Sequence, residues 1–315
     1  MTRYQDIEQN GQKFLSLTAY TVAEFQALLP YFVERFLAHV AVYTLEGKVR
    51  KNRRYVEYAN SPLPTMEDKL LFALIYMKTN NLQTVQGELF TMHQPEACHW
   101  IHLLVPLVNQ ALAACGELPA RTMAELEIAP GSSNVFFHDG TERPILRPTD
   151  AQMQQSYYSG KKKTHTVKND VIGNEECKII FLTDTVEGKK HDKKLADEAD
   201  YSLPDGSVLF QDTGFQGFSL DNVTILQPKK KPRGRELSAW DKALNRTLSA
   251  IRIRIEHMIN GVKRYRIVKD KIRNWKPGFR DLVLETCCGL HNFRLRFRPW
   301  RYQSIPHFQS MLKSL

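Results

Sequence analysis

The spacing of apolar and polar positions divides the chain into a helical first part and a strand-rich second part. Near the start, Thr21-Val-Ala-Glu24 has the spacing of a capping box, and Phe25, Leu28, Leu29, Phe32, Val33 and Phe36 follow at helical intervals. A second such start at Thr65 opens an apolar run to Met77, and Asn80-Asn81 mark a turn. Leu82 to Phe90 and Pro95 to Leu112 then predict two more helices. Short helices on tight turns suit a helix-turn-helix, with Gln94, Glu96, His99 and Trp100 directed to base edges. A plain helical bundle or a dimerisation surface fits as well, because no Lys or Arg lies between Lys78 and Arg121 to hold phosphates.

Glu127-Ile-Ala-Pro-Gly-Ser-Ser-Asn134 has linker composition, so two domains are expected, residues 1–130 and 131–315. Beyond it the pattern turns to strands: Val135 to Phe137, Thr164 to Ile172, Lys178 to Leu182, Ser207 to Phe210 and Val223 to Leu226. Helices are expected from about His191 to Tyr201 and from Ser238 onward. This α/β succession, three strands, helix, two strands, helix, resembles the ribonuclease H-like fold. That resemblance implies a mixed five-stranded sheet in the order 3-2-1-4-5.

Composition narrows the class. The apolar fraction of 42% is ordinary, and the N-terminus MTRYQDIEQN lacks the apolar run of a secretory signal. No uncharged apolar stretch of about 20 residues is read from the sequence, so a soluble, cytoplasmic, nucleoid-associated protein is expected. Five scattered cysteines without C-x-x-C spacing give neither a disulfide framework nor a zinc ribbon. Cys287, Cys288 and His291 lack a fourth partner, which favours core packing over zinc.

Charge is distributed unevenly. Residues 1–130 hold 11 Lys+Arg against 13 Asp+Glu, and residues 131–315 hold 33 against 21, so the +10 surplus lies in the second part. A polyanionic partner is expected there. The candidate phosphate contacts are Lys161, Lys162 and Lys163, then Lys229, Lys230, Lys231, Arg233 and Arg235, with a basic tail at Arg294, Arg296, Arg298 and Arg301. In the first part Lys48, Arg50, Lys51, Arg53 and Arg54 form either a solvated charge run or an arm on DNA.

Three apolar strands run into an aspartate, at Asp139, Asp184 and Asp212. Strand ends are where open α/β sheets place their chemistry, although an Asp there is also a common turn starter. In the 3-2-1-4-5 order, Asp139 and Asp212 are neighbours, whereas Asp184 is two strands away, roughly 10 Å at about 4.8 Å per strand. Two ions of a two-metal site stand about 3.5–4 Å apart, which neighbouring strands satisfy, so Asp184 is assigned to turn formation. A third acid is expected from the helix that begins at Ser238-x-x-Asp241, whose stripe runs Leu244, Leu248, Ile251, Ile255, Ile259, Val262. Glu256 borders that stripe, as a ligand or as an i,i+4 partner of Arg252. Oxygen donors of this kind suit a hard cation such as Mg2+.

Arg252, Glu256 and Lys263, with three and six residues between them, resemble the signature around the last acid of bacterial insertion-sequence transposases of families four and five. Asp139-Gly-Thr-Glu142, Tyr158-Ser-Gly-Lys-Lys-Lys-Thr-His165, Phe210-Gln-Asp212-Thr-Gly-Phe215 and Gly289-Leu-His-Asn-Phe293 look like other blocks of the family-five branch. The resemblance implies a DDE transposase with Asp139, Asp212 and Glu256 as catalytic, metal-binding acids and two Mg2+ ions per site, Mn2+ substituting. It implies that Arg252 and Lys263 bind DNA or brace the acid, that the partner is double-stranded DNA at terminal inverted repeats and target sites, and that the protein is a homodimer. Ser249 stands where the family-four pattern has tyrosine. The short span from Asp212 to Glu256 leaves no room for a large insertion domain, which disfavours hairpin chemistry that depends on one. A non-catalytic DNA-binding derivative and a structure-specific nuclease remain the alternative readings.

Overall fold

The computed structural model describes residues 2–51, 54–58, 60–126, 134–199 and 201–302. The helical unit comprises α1 (Tyr4–Ile7), α2 (Gly11–Thr18), α3 (Val22–Val42), α4 (Met66–Thr79), α5 (Gln83–Phe90) and α6 (Gln94–Ala114). Both bonds of the expected capping box open α3: the Glu24 amide donates to Thr21 Oγ1 at 3.2 Å, and the Thr21 amide to the Glu24 carboxylate at 2.7 Å. Thr65 Oγ1 caps α4 by accepting the Asp68 amide at 3.0 Å, without the reciprocal bond, and α4 ends where Asn80 turns left-handed (φ 52°), a conformation asparagine tolerates.

Helices α4, α5 and α6 are the three helices of the expected helix-turn-helix. One whole face of α6, however, is core: ten of its 21 residues, from Ala97 to Leu112, are buried. Trp100 is 4% exposed, which removes it from the base-edge positions, whereas Gln94, Glu96 and His99 stay on the surface. Contrary to the sequence expectation, α6 is long and apolar enough to cross a membrane, but its apolar side chains are spent on the bundle interior.

The second unit comprises β1 (Val135–Pro144), α7 (Ala151–Tyr157), β2 (Tyr158–Ser159), β3 (Thr164–Asn174), β4 (Ile179–Leu182), β5 (Val186–Glu187), α8 (Asp192–Glu198), β6 (Val208–Phe210), β7 (Thr224–Leu226), α9 (Ala239–Val262), α10 (Arg266–Lys269) and α11 (Phe279–Leu295). Strand β1 pairs antiparallel with β3 and parallel with β6; β3 carries β4, and β6 carries β7. The order β4-β3-β1-β6-β7 is the 3-2-1-4-5 arrangement of the ribonuclease H-like fold. Side-chain alternation sorts the two faces. Phe136, Ile172 and Leu209 pack toward Ala196 of α8, while Phe137, Val171 and Phe210 pack toward Ile255 and Met258 of α9.

The second of these clusters continues without a break into the helical unit through α11. Tyr20 Oη donates to the Leu290 carbonyl at 2.9 Å. Of the arginines expected to form a DNA-facing tail, Arg294 is buried, Arg296 pairs with Glu117 and Arg298 Nε pairs with Glu24 at 2.7 Å, whereas Arg301 is exposed. Cys287 and Cys288 are fully buried, where burial pushes both thiols up. The expected domain boundary falls on residues 127–134, of which 127–133 lie outside the described residues, as does Arg53.

Candidate active site

Strands β1 and β6 are parallel and in register, with Phe137 opposite Phe210 and the two rings stacked at 5.4 Å. Asp139 and Asp212 each lie two positions beyond that pair, so both continue the face against which α9 packs. Asp139 is half-buried, and its Oδ1 accepts the Gly140 amide at 2.8 Å. Burial is the main reason its carboxyl is pushed up to about 6; the Asp212 charge adds to this, while Arg252 and the Gly140 bond oppose it. Asp212 is more open, and its Oδ1 accepts the Thr213 amide at 2.7 Å as the chain turns into a short 3-10 segment, Thr213–Phe215.

Helix α9 supplies the opposing charges. Arg252 is buried and its Nη1 lies 3.4 Å from Asp212 Oδ1. Lys263, which ends the helix, is depressed chiefly by burial, then by Lys162, with Asp139 pulling it the other way. Glu256 lies between these two cations along the axis. At 100° per residue it stands about 40° around the helix from Arg252, and Lys263 about 20°, so the three share one face. The Glu256 side chain is exposed, and among the described residues no three His, Cys, Asp or Glu gather closely enough to hold a metal ion. The site thus brings together Asp139, Asp212, Arg252, Lys263 and Lys162, and leaves Glu256 outside the cluster. Its donor chemistry fits a hard divalent cation: two neighbouring carboxylates, one of them desolvated, with Arg252 on Asp212 and Lys263 near Asp139.

Residues 138–292 match the model of the DDE superfamily endonucleases, and residues 61–114 match the helix-turn-helix of the same superfamily. The chain belongs to the DDE superfamily. It is 24% identical over 237 residues to a probable transposase for insertion sequence element IS702 of Microchaete diplosiphon, covering 75% of this chain and 83% of the relative. A putative transposase for insertion sequence element IS112 of Streptomyces albus G is 25% identical over 254 residues, 79% of this chain and 86% of that one. No solved structure matches. The DDE match begins one residue before Asp139 and the helix-turn-helix match spans α4 to α6.

The other expected residues of this DDE protein, Lys162 apart, lie farther out. Asp184 is 92% exposed and pairs with Arg121 at 2.7 Å, away from the site. Lys161, Lys162 and Lys163 are exposed between β2 and β3. Lys230, Arg233 and Arg235 are exposed before α9, whereas Lys229 and Lys231 pair with Asp241 and Glu236. Arg50 donates to the Tyr43 carbonyl at 2.8 Å and lies over the Tyr55 ring; Lys51 and Arg54 are exposed.

One group escaped sequence reasoning. On the reverse face, behind Asp139, Lys168 Nζ binds Asp192 at 2.7 Å and lies 3.8 Å from Glu142. His138 accepts from Gln211 at 2.7 Å and meets Tyr201 Oη at 2.8 Å. A Cβ at Gly140 would stand 3.2 Å from the Asp170 and Asp192 carboxylates, so a larger residue beside the site obliges those side chains to give way by a few tenths of an ångström. The sequence signal was weak: three polar residues, Lys168-Asn169-Asp170, in the middle of a strand.

Proposed function

We propose that this protein is the transposase of an insertion sequence, binding the ends of its own element and catalysing divalent-metal-dependent phosphodiester hydrolysis and strand transfer. The observation that supports this best is the register of β1 and β6, which carries Asp139 and Asp212 onto one face under Arg252 and Lys263. In this reading Asp139, Asp212 and Glu256 hold Mg2+, and Glu256 completes the set by a movement of α9 or of its own rotamer. When bound, the metal supplies Lewis acidity that activates water or a 3′-hydroxyl and stabilises the leaving oxygen. Arg252 fixes Asp212 through its guanidinium, and Lys263 offers an ammonium to a phosphate beside Asp139. Homodimerisation, which brings two ends together, is part of the same proposal.

The exposed position of Glu256 favours one rival, a DNA-binding derivative that does not cut. A cleavage assay with duplexes carrying the element's ends separates the two. We expect Mg2+-dependent nicking and joined products, with Asp139→Ala, Asp212→Ala and Glu256→Ala each abolishing cutting while binding persists. A wild-type protein that binds the ends but never cuts them would favour the rival, and full activity in any one variant would remove that residue from the site.

A further inference from the structure

The last two helices of the helix-turn-helix, α5 and α6, lack cations in their own sequence: from Thr79 to Ala120 there is no Lys or Arg. Duplex binding draws much of its affinity from neutralised phosphates, so an element of this composition is a poor DNA grip alone. The fold supplies the missing charge from elsewhere. The connector from α9 to α11, residues 263–276, holds seven Lys+Arg and one acid, Asp270. It packs along α4 and the α4–α5 turn, and Ile272 anchors it to the end of β1 through a bridge to Ile145.

Its contacts are specific. Lys78 Nζ donates to the Arg264 carbonyl at 3.0 Å, and the Arg273 guanidinium donates to the Asn80 carbonyl and to Asn80 Oδ1. Asn274 Nδ2 meets His102 Nε2 at 2.9 Å. Lys78 is depressed by burial and then by Arg264, Arg266 and Lys269, and His102 by burial and then Lys276, so these cations stand close to the helices. Arg264, Arg266, Lys269, Arg273 and Lys276 are exposed, although Arg266 is partly neutralised by Asp270 at 2.8 Å. A cleft of about 510 Å3 lies at the junction, lined by Asn81, Gln83, Thr84 and Gln94 of the helix-turn-helix with Arg273 and Asn274 of the connector. Side-chain amides are the groups that read adenine edges, and arginine reads guanine or grips phosphate.

We propose that the connector provides the phosphate grip of the helix-turn-helix, so that one DNA duplex is held on a composite surface: neutral amides of α5 and α6 facing base edges, and Lys269, Arg273 and Lys276 on the backbone. The proposal rests on the reading of DNA as partner but not on catalysis. It also explains why α6 can give one face to the core along its length: only its first turn has to reach the groove.

The test is metal-free binding of the full-length protein to a mixed-sequence B-DNA duplex of about 30 base pairs, from about 50 to 200 mM salt. The triple variant Lys269→Gln, Arg273→Gln, Lys276→Gln should reduce the log K against log salt slope by about 2.7 and weaken low-salt binding roughly 100-fold, at about 0.9 per lost phosphate contact. The charge-retaining set Lys269→Arg, Arg273→Lys, Lys276→Arg should keep the slope, which separates lost charge from lost folding. Photo-crosslinkers at Gln83 and at Lys271 should label one duplex within the same helical turn, about 10 base pairs. A wild-type slope in the Gln variant, crosslinks more than a turn apart, or no duplex binding by the wild type would overturn the proposal. A wild-type protein that never cuts, with a Gln variant that loses the slope, would instead sink the catalytic reading and leave this one standing.

Discussion

Asp139 is held in a position that suits a cation more than it suits the free protein. Its carboxyl is raised to about 6, mainly by burial, so between the unfolded value near 4 and that point the folded chain binds the extra proton. Stability is therefore lost as pH rises through this window, and the cost is complete above it. Two units correspond to roughly 3 kcal/mol at most, which partial exposure reduces to about 1–2 kcal/mol. Asp139→Asn should accordingly raise Tm at neutral pH by about 2–4 °C in metal-free buffer, with the gain gone near pH 4; Mg2+ should stabilise the wild type and not the variant. An unchanged Tm at pH 7 would contradict the desolvated site. Asp184 is the counter-example, also at the end of an apolar run: being 92% exposed and paired with Arg121, its change to Asn should leave cutting within about twofold and cost below about 1 kcal/mol in a melt.

Elements were legible where burial follows period. Five of the seven strands lie where short apolar runs put them, because both faces of the sheet are covered, and α9 lies where the 3.6-residue stripe puts it, with one face against a core. The far half of β1 was not, since Asp139-Gly-Thr-Glu-Arg-Pro144 reads as a turn; in the fold Arg143 is fully buried and bonds the Arg280 carbonyl, Asn169 and Thr185, which no local pattern encodes. Helix α11 was missed for the opposite reason. It is buried almost all round, so Thr286, His291, Asn292 and Arg294 sit inside with the apolar residues and no stripe appears. The site shows the same limit: apolar runs that end on Asp marked Asp139 and Asp212, whereas Lys168 and Asp192 gain meaning only once α8 is laid behind β1. The α9–α11 contact gives a test. A Cβ at Gly261 would stand 2.5 Å from the His291 ring, and that ring is fixed by its 3.0 Å bond to the Cys177 carbonyl. Gly261→Ala should therefore destabilise by about 1–3 kcal/mol through overpacking, against the helix propensity that favours Ala; a higher denaturation midpoint would show that the helices separate freely.

For the whole molecule, the question is whether the helical unit and the sheet unit fold separately. Their join is made of groups that neither unit satisfies alone. Arg121, at the end of the helical unit, reaches Asp184, Asp281 at 2.6 Å and Glu285 at 3.4 Å, and donates to the Leu182 carbonyl. The Asn292 side chain spans Glu117 and Ile179, and α11 lays Leu290 and Phe293 into the same cluster as Leu112 and Trp100. Removing either unit would expose that apolar face, and removing the sheet unit would take Arg298 and Arg296 from the buried Glu24 and Glu117, a loss that costs about 3–5 kcal/mol where a buried pair is broken from one side. Calorimetry of the full chain should then give one cooperative transition. Arg121→Ala should lower its midpoint without splitting it, and residues 134–302 expressed alone should lack a cooperative melt. Two resolved transitions in the wild type, or a well-folded isolated sheet unit, would mean that the shared core is a docking contact and that the two units can move independently on DNA.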